Sequence, residues 1–153
     1  MRGVYEEGIS ISGVATAKTL LYITAAATHV VEVVGSNVGN SGSNVTNQQL
    51  KTLWQRITTL GTPTATTITP TPTEKGDQAS AATVKGNVTA SEPTYGAGLT
   101  MGQRGFASLG GYDSAFLPEE RFYVAPGDSW GLRMISTPTS FDAEVSVRHR
   151  EIG

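Results

Sequence analysis

An alternating run of apolar and polar residues near the C-terminus constrains the fold more than any other feature of the chain. Between residues 141 and 148 every second position is apolar, and the apolar set is Phe141, Ala143, Val145 and Val147. Successive side chains of a β-strand point to opposite faces, so a period of two indicates a strand with one buried and one solvent-facing side. The sequence therefore predicts an amphipathic strand over this segment.

Two further strand patterns precede this run. Arg121 to Ala125 and Ser129 to Ser136 are rich in aromatic and aliphatic residues, which suit a pleated, half-buried surface. The link between them is Pro126-Gly127-Asp128, in which proline presets φ for a turn and glycine accepts a positive φ. A second turn, Thr137 to Ser140, leads into the alternating run. We expect the three segments to form an antiparallel meander.

The first half of the chain contains two more strand patterns. Thr19 to Thr24 and His29 to Val34 are rich in β-branched and aliphatic residues. The connection between them, Ala25 to Thr28, is too short for the crossover helix that parallel neighbours would need. We therefore expect an antiparallel pair, followed by a Gly/Ser/Asn loop from Gly35 to Asn44.

The segment from Leu50 to Leu60 fits two patterns. Its apolar residues recur at helical spacing, at Leu50, Leu53, Trp54, Ile57 and Leu60. Its threonines and its β-rich surroundings favour a strand instead. We predict a strand here, with a helix as the alternative.

The remaining segments are predicted to be mostly connections. Thr58 to Thr73 holds nine threonines and three prolines, and we expect a long surface connection across one end of the domain. Gln78 to Val84 fits one helical turn, and Val84 to Ala90 fits an edge strand. Tyr95 to Gly111 contains six glycines. We expect a loop there, either held by the surface beneath it or mobile until a partner binds it.

Composition assigns the whole chain to the all-β class. A length of 153 residues predicts one domain. Threonine occurs 21 times, and 18 glycines and 7 prolines favour many turns. We therefore predict a single antiparallel β-sandwich.

Charge and cysteine content narrow the function classes. The net charge is −2 and Lys and Arg form no cluster, whereas a nucleic-acid-binding surface needs concentrated positive charge. Without cysteine the chain forms no disulfide and no thiolate metal site. The N-terminus lacks the apolar stretch of a signal peptide, and no apolar run approaches the ~20 residues of a membrane span. We expect neither a nucleic-acid nor a membrane partner.

Histidine and tryptophan offer little material for a ligand site. His29 and His149 are the only histidines, and neither stands among other potential metal ligands. We expect them to be polar residues at strand ends, and we expect no metal or other cofactor. Trp54 and Trp130 are expected to anchor the core or an interface, with stacking on a sugar as the alternative.

The acidic pairs Glu6-Glu7 and Glu119-Glu120 are the other candidates for chemistry. Neighbours on an extended chain point to opposite sides, whereas two catalytic carboxylates must face each other across a substrate. We expect solvated surface charge at both pairs. The sequence therefore predicts a protein that is not an enzyme.

The order of the segments resembles a known group of proteins. A strand of sequence Ala-Thr-Ala-Lys-Thr-Leu-Leu-Tyr-Ile (Ala15 to Ile23) precedes the valine-rich strand and the Gly/Ser/Asn loop. A segment ending in Ile57-Thr58-Thr59-Leu60-Gly61-Thr62 leads into the Thr/Pro connection, and the hairpin pattern around Ala125-Pro126-Gly127-Asp128 precedes the final strand. From Ala15 to Glu151 the chain resembles small virion proteins of tailed bacteriophages, the capsid decoration or cement proteins with a jelly-roll-like β-sandwich.

This resemblance implies a structural role. Such proteins assemble as homotrimers on the outer capsid surface, bridge neighbouring major capsid subunits and have no catalytic residues. For this chain it implies synthesis in the host cytoplasm and a place on the virion. We hypothesise an N-terminal arm over residues 1–13 that reaches the capsid or a neighbouring subunit, and a sandwich domain over residues 14–153. The candidates for capsid or subunit contacts are Val4, Tyr5, Ile9, Ile11, Tyr95, Phe106, Tyr112 and Phe116.

Two other function classes stay open beside the decoration protein. A receptor- or glycan-binding head of a phage fibre or spike would carry exposed aromatic residues in a loop cluster. A β-sandwich enzyme would need histidine and carboxylate side chains within bonding reach of one another.

Overall fold

The computed structural model describes residues 3–42 and 46–153, and this part of the chain is built from strands. One 3₁₀ turn, Pro118–Glu120, interrupts them. The strands are β1 (Gly3–Val14), β2 (Lys18–Thr24), β3 (Val30–Asn40), β4 (Gln49–Thr59), β5 (Thr64–Ile68), β6 (Thr71–Pro72), β7 (Thr83–Ala90), β8 (Thr94–Ala107), β9 (Tyr112–Ala115), β10 (Phe122–Val124), β11 (Ser129–Met134) and β12 (Phe141–Ile152). Nothing helical in the described residues has the length and apolar character required to cross a bilayer.

The strands form two antiparallel sheets that pack face to face. The front sheet has the order β10-β3-β12-β1-β6, with β9 also paired to β3. The back sheet has the order β5-β7-β2-β11-β4-β8. Apolar side chains from both sheets form one main core between them. The prediction of an all-β protein with a sandwich architecture is confirmed.

The final strand shows the predicted alternation. Phe141, Ala143, Val145 and Val147 of β12 are fully buried, while Asp142 and Glu144 point away from the core. The strand also runs further than the apolar pattern, because β12 continues to Ile152. Residues 149 and 151 keep the same phase as the apolar set, so they also face the core.

The predicted strands are present, but their predicted neighbours are wrong. β10, β11 and β12 form no meander, since β10 pairs with β3, β11 lies between β2 and β4, and β12 lies between β1 and β3. The predicted antiparallel pair of β2 and β3 is wrong for the same reason, since these strands belong to different sheets. Each strand has an apolar face that must be covered, and placing successive strands in opposite sheets lets these faces cover one another.

The Pro126-Gly127-Asp128 turn joins the two sheets at one end of the sandwich. Gly127 has a φ of 77°, as expected for a turn glycine. Its N–H donates to the Ala25 carbonyl at 3.1 Å, and the Ala25 N–H donates to the Asp128 carbonyl at 3.0 Å. The turn therefore lies against the β2–β3 connection, which crosses between the same two sheets.

The ambiguous segment from Leu50 to Leu60 is strand β4, as predicted. Leu50 and Trp54 point into the main core, while Ile57 belongs to a smaller apolar cluster that also contains Tyr22 and Val88. Both faces of β4 are therefore buried. Burial on both faces is what makes the apolar residues of this strand recur at nearly helical spacing.

Several predicted connections are strands in the structure. β3 extends to Asn40 through the predicted Gly35–Asn44 loop, of which residues 43 and 44 lie outside the described part. β5 and β6 lie within the Thr/Pro connection, and β8 replaces the expected glycine-rich loop. The helical turn expected between residues 78 and 84 is absent, and β7 is not an edge strand because β5 pairs with it. Pairing to a neighbour supplies the stability that these segments lack by themselves.

The segment expected to form an N-terminal arm is strand β1. It pairs with β12 from Gly3 opposite Glu151 to Val14 opposite Phe141, and with β6 at Tyr5 and Glu6. Tyr5 and Ile11 are buried. The expected boundary at residue 13 therefore falls inside a strand of the front sheet, while Met1 and Arg2 lie outside the described residues.

Candidate functional site

A cluster of ionisable side chains lies inside the sandwich, between β1, β12 and the segment before β7. We call Glu7, Ser80, His149 and Glu151 the buried cluster. Tyr5 of β1 stands opposite His149 of β12, so Glu7 lies diagonally across from the imidazole. Glu151 is two positions beyond His149 on β12 and shares its face. The pleat therefore directs three ionisable groups to the same place.

The two imidazole nitrogens of His149 face different carboxylates. Nδ1 lies 2.8 Å from Glu7 Oε1, and Nε2 lies 3.8 Å from Glu151 Oε1. All three side chains are 0% exposed. The Tyr5 ring stacks on the imidazole with a centroid separation of 5.1 Å. Burial of ionisable groups is costly unless they are paired, and here the imidazole lies between the two carboxyl groups.

Glu151 attaches the segment before β7 to the front sheet. Its Oε1 accepts hydrogen bonds from Ser80 Oγ at 2.6 Å and from the N–H groups of Ala81 and Ala82, each at 2.8 Å. Tyr5 Oη donates to the Gln78 carbonyl at 2.9 Å. One carboxylate oxygen thus accepts from two backbone donors of this non-strand segment, and the Ala82 N–H also donates to Ser80 Oγ at 3.2 Å.

The two carboxyl groups have opposite shifts in pKa. Burial raises the pKa of Glu7, against the lowering effect of His149. Burial also raises the pKa of Glu151, but the hydrogen bonds from Ser80, Ala82 and Ala81 outweigh it and leave this pKa below its ordinary value. Glu151 is therefore the firmly ionised member of the cluster.

The buried cluster does not have the geometry of a metal site. A metal ion needs ligands that converge on one point. Glu7 and Glu151 instead lie at opposite nitrogens of the same ring, so no single ion reaches both carboxylates and the imidazole. Among the described residues no group of three potential His, Cys, Asp or Glu ligands converges.

Ser80, His149 and Glu7 lie next to one another in space in the order of a Ser–His–acid triad, but their hydrogen bonds differ from those of a triad. Ser80 Oγ lies 3.5 Å from His149 Nε2, and Glu7 holds the opposite nitrogen. The serine proton, however, is donated to Glu151 at 2.6 Å. Glu151 also binds the two N–H groups that would have to hold an oxyanion. Ser80 and Glu151 are therefore bonded to each other, while Glu7 Oε2 accepts no hydrogen bond within the described residues.

The expectations for His149 and Glu7 are wrong. His149 is not a peripheral polar residue, and Glu7 is not solvated surface charge, because both point into the sandwich. The alternation along the strands could have indicated their burial. His149 continues the buried series of Phe141 and Val147, and Glu7 alternates in step with the buried Tyr5 and Ile11. The polar character of these residues concealed their buried positions.

The second candidate site is a groove at the open side of the sandwich, which we call the edge groove. It has a volume of about 270 Å³ and lies between β8 and the 3₁₀ turn; its lining residues are Met101, Gly102, Gln103, Arg104, Phe116, Glu119 and Glu120. Gly102 has a φ of 55°, and a Cβ at this position would lie 3.4 Å from the Phe116 ring. The glycine therefore keeps the space between strand and ring open.

Exposed apolar side chains concentrate near the same stretch of chain. Of the seven large apolar side chains that are exposed among the described residues, four belong to β8 or to the residues that follow it, namely Leu99, Met101, Leu109 and Leu117. Glu119 and Glu120 are exposed, as predicted. Arg104 donates to the Gln103 carbonyl and to Ser114 Oγ, each at 3.3 Å. Of these four exposed side chains, Met101 lines the groove itself, beside Arg104, Glu119 and Glu120.

The eight contact candidates from the sequence are not brought together at one surface. Tyr5, Ile11, Phe106 and Phe116 are buried in the protomer, while Val4, Ile9, Tyr95 and Tyr112 are partly buried. Of the eight, Phe116 lines the edge groove. Met101, Glu119 and Glu120 were missed as contact candidates, because only the tertiary structure brings β8 beside the 3₁₀ turn.

Tyr95 and the tryptophans have defined structural positions. Tyr95 lies under the guanidinium of Arg133, whose Cζ is 4.1 Å from the ring centroid, and its hydroxyl lies 2.5 Å from Thr19 Oγ1. Trp54 is fully buried and Trp130 packs against the core. The tryptophans were predicted to anchor the core or an interface, and both contact the core.

Comparisons with protein-family models, with curated proteins and with solved structures find no match for this chain.

Proposed function

We propose that the chain is a non-enzymatic structural protein of a tailed-phage virion, which decorates and stabilises the capsid by bridging neighbouring major capsid subunits. The sandwich is then a jelly roll that assembles as a homotrimer on the outer capsid surface. The observation that carries the proposal is the nested order of strand pairing.

The strand pairs form a nested series. β1 pairs with β12, β2 with β11, β3 with β10 and β4 with β8. Early strands therefore pair with late strands in reverse order, and successive pairs alternate between the two sheets. A long antiparallel ribbon wrapped into two sheets would produce this order, which supports the jelly-roll part of the proposal. This architecture is common in viral capsid domains.

The buried cluster supports the non-enzymatic part of the proposal. Its serine proton, its imidazole and its backbone donors are already bound within the protein, and its ionisable side chains are closed to solvent. Catalysis would require these bonds to break before a substrate could bind. The arrangement favours a structural role, which is to hold the segment before β7 against the front sheet.

The edge groove supports the assembly part of the proposal. A protein that bridges subunits needs exposed contact surface, and the apolar side chains of β8 and the following residues provide it. A trimer requires one surface matched to a different surface on the next copy, closed by three-fold rotation. Several modest contacts on neighbouring subunits then add through multivalency.

Co-sedimentation with capsid shells tests the proposal. Shells assembled from the major capsid protein of the phage that encodes this chain are expected to bind it at a fixed stoichiometry and to resist heat better when it is bound. Light scattering is expected to give three times the chain mass of 16.0 kDa. A chain that ignores the shells over a wide concentration range contradicts the proposal.

One observation favours the alternative of a receptor- or glycan-binding head. The exposed Tyr123 ring lies on the front sheet, where its hydroxyl donates to Glu32 at 3.1 Å and Arg150 pairs with the same carboxylate. An aromatic face beside hydrogen-bonding groups suits a sugar, and jelly rolls also serve as lectin domains. Binding on a glycan array that is lost in the Tyr123→Ala variant would favour this alternative.

A further inference from the structure

We propose that the edge groove binds an extended segment of a neighbouring protein, which adds to the back sheet as a strand beside β8. The segment carries an apolar side chain that contacts Met101 and Phe116, and a basic side chain beside Glu119 and Glu120. The identity of the neighbour rests on the proposed function, which makes it a capsid subunit. The proposal that an extended segment binds here rests on the edge, the apolar floor and the charge of the groove.

The free edge of β8 is the first support. β8 ends the back sheet, and within the described residues it pairs with β4 alone. Its other edge therefore carries N–H and C=O groups that pair with no strand in this part of the chain, and such an edge is a template for an added strand. Register shifts interrupt the β4 pairing between Tyr95 and Thr100 and again between Met101 and Arg104, while pairing is regular from Arg104 to Ala107. The usable edge is accordingly the part of β8 from Arg104 to Ala107, which adjoins the groove at Arg104.

The apolar floor of the groove is the second support. The Met101 side chain is 36% exposed, and Phe116 lines the same groove. Gly102 lies between them without a side chain to fill the space. Removing an apolar side chain of a partner from water into this space supplies a favourable free energy, which main-chain pairing alone does not.

The charge of the groove is the third support and determines the chemistry of the occupant. Glu119 and Glu120 are exposed, and neither forms an ion pair within the described part of the chain. Arg104, the cation of the groove, already donates to Gln103 and Ser114. The groove thus has an acidic rim that a basic side chain complements.

The spacing in the partner follows from strand geometry. Side chains at alternate positions of a strand share one face. The apolar and the basic residue of the occupant are therefore two positions apart, in an apolar-x-basic pattern.

A synthetic peptide tests the inference on the full chain. The probe is acetyl-Thr-Val-Thr-Lys-Thr-Val-Thr-Lys-Thr-amide, and the readouts are calorimetric affinity and amide hydrogen exchange. We expect binding to slow exchange between residues 104 and 107, where the edge of β8 is regular. The double variant Glu119→Lys/Glu120→Lys is expected to bind about tenfold more weakly, because attraction becomes repulsion at two sites.

Two controls accompany the peptide. The Glu74→Lys variant changes an exposed acid outside the groove and is expected to bind as the wild type does. A peptide with glutamate in place of lysine is expected to bind about tenfold more weakly than the probe. Equal affinity of the probe for the double variant and the wild type overturns the inference, as does protection confined to another part of the chain.

The capsid shells separate this inference from the proposed function. If the wild type binds the shells and the double variant binds them more weakly, the result supports both the proposed function and the proposed contact at the groove. If the wild type and the double variant bind shells equally, the function stands and the groove is not the contact. If the wild type ignores the shells but binds the peptide at β8, the capsid proposal fails and the groove remains a docking site.

Discussion

Glu7 and His149 form a hydrogen-bonded pair in the interior of the sandwich, with Oε1 and Nδ1 2.8 Å apart and both side chains 0% exposed. The pair joins β1 to β12, and Glu151 extends it to the segment before β7. Three elements distant in sequence are therefore connected through His149 and Glu151 of β12. Hydrogen bonds as well as apolar contacts hold the interior at this end of the protein.

Replacing Glu151 by glutamine is expected to lower the free energy of unfolding by about 2–4 kcal/mol, because two backbone donors and Ser80 lose their anionic acceptor in a buried site. Urea denaturation at pH 7 measures the change. The matched control is Glu144→Gln, an exposed position on the same strand, which is expected to change stability by at most about 0.5 kcal/mol. Equal effects of the two substitutions contradict the assigned role of Glu151.

Lowering the pH is expected to remove the contribution of Glu151 to the free energy of unfolding. Its pKa in the folded protein lies below the ordinary value of 4.5. The ionised group therefore stabilises the fold at pH values above 4.5, and this contribution declines as the pH falls through the folded-state pKa. The difference in unfolding free energy between wild type and Glu151→Gln is thus expected to shrink below that pH. A difference that stays constant from pH 7 to pH 3 would falsify this prediction.

Glu7 is expected to show the opposite pH dependence. Burial holds its pKa above 4.5 in the folded protein. The contribution of the protonated Glu7 to the free energy of unfolding is therefore complete below pH 4.5 and declines as the pH rises through the folded-state pKa. The wild type is therefore expected to lose stability relative to Glu7→Gln as the pH rises from 4 toward neutrality. Parallel urea titrations of the two proteins across this range measure the trend, and a gain in relative stability with rising pH contradicts it.

Gly111 is expected to tolerate no side chain, whereas its neighbour Gly110 does. Gly111 has a φ of 66°, and an added Cβ would lie 2.7 Å from the Gly39 backbone. A Cβ on Gly110 would meet only the Ala107 carbonyl, at 3.9 Å. We expect Gly111→Ala to lower the free energy of unfolding by about 2–4 kcal/mol through strain and overpacking. Thermal unfolding of the two alanine variants gives the comparison, and equal melting temperatures contradict the prediction.

The strands themselves could be predicted from the sequence. Alternation over residues 141–148 identified β12, and the β-branched run at residues 19–24 identified β2, because a pleated strand with one buried face imposes a period of two on its side chains. The same reasoning extends to Glu7 and His149, whose positions in the alternation predict burial. Their ionisable groups nevertheless suggested exposed positions. The buried positions are favourable only because the structure supplies hydrogen-bond partners for these groups.

The neighbours of each strand could not be predicted in this way. Alternation states which face of a strand is covered but not which strand covers it, and short connections suit a hairpin and a crossing between sheets equally well. β10, β11 and β12 follow one another in sequence and belong alternately to the two sheets. The glycine-rich β8 has little strand character of its own and becomes one because β4 supplies its hydrogen bonds.

The sequence alone determined that this protein is a β-sandwich, because composition and side-chain period depend on residues that are close along the chain. The tertiary structure decided the pairing of early with late strands, the cluster of Glu7, His149 and Glu151, and the groove between β8 and Glu119. Each of these depends on residues far apart in sequence, and they meet because covering both sheets at once leaves few arrangements in which the buried polar groups are also satisfied.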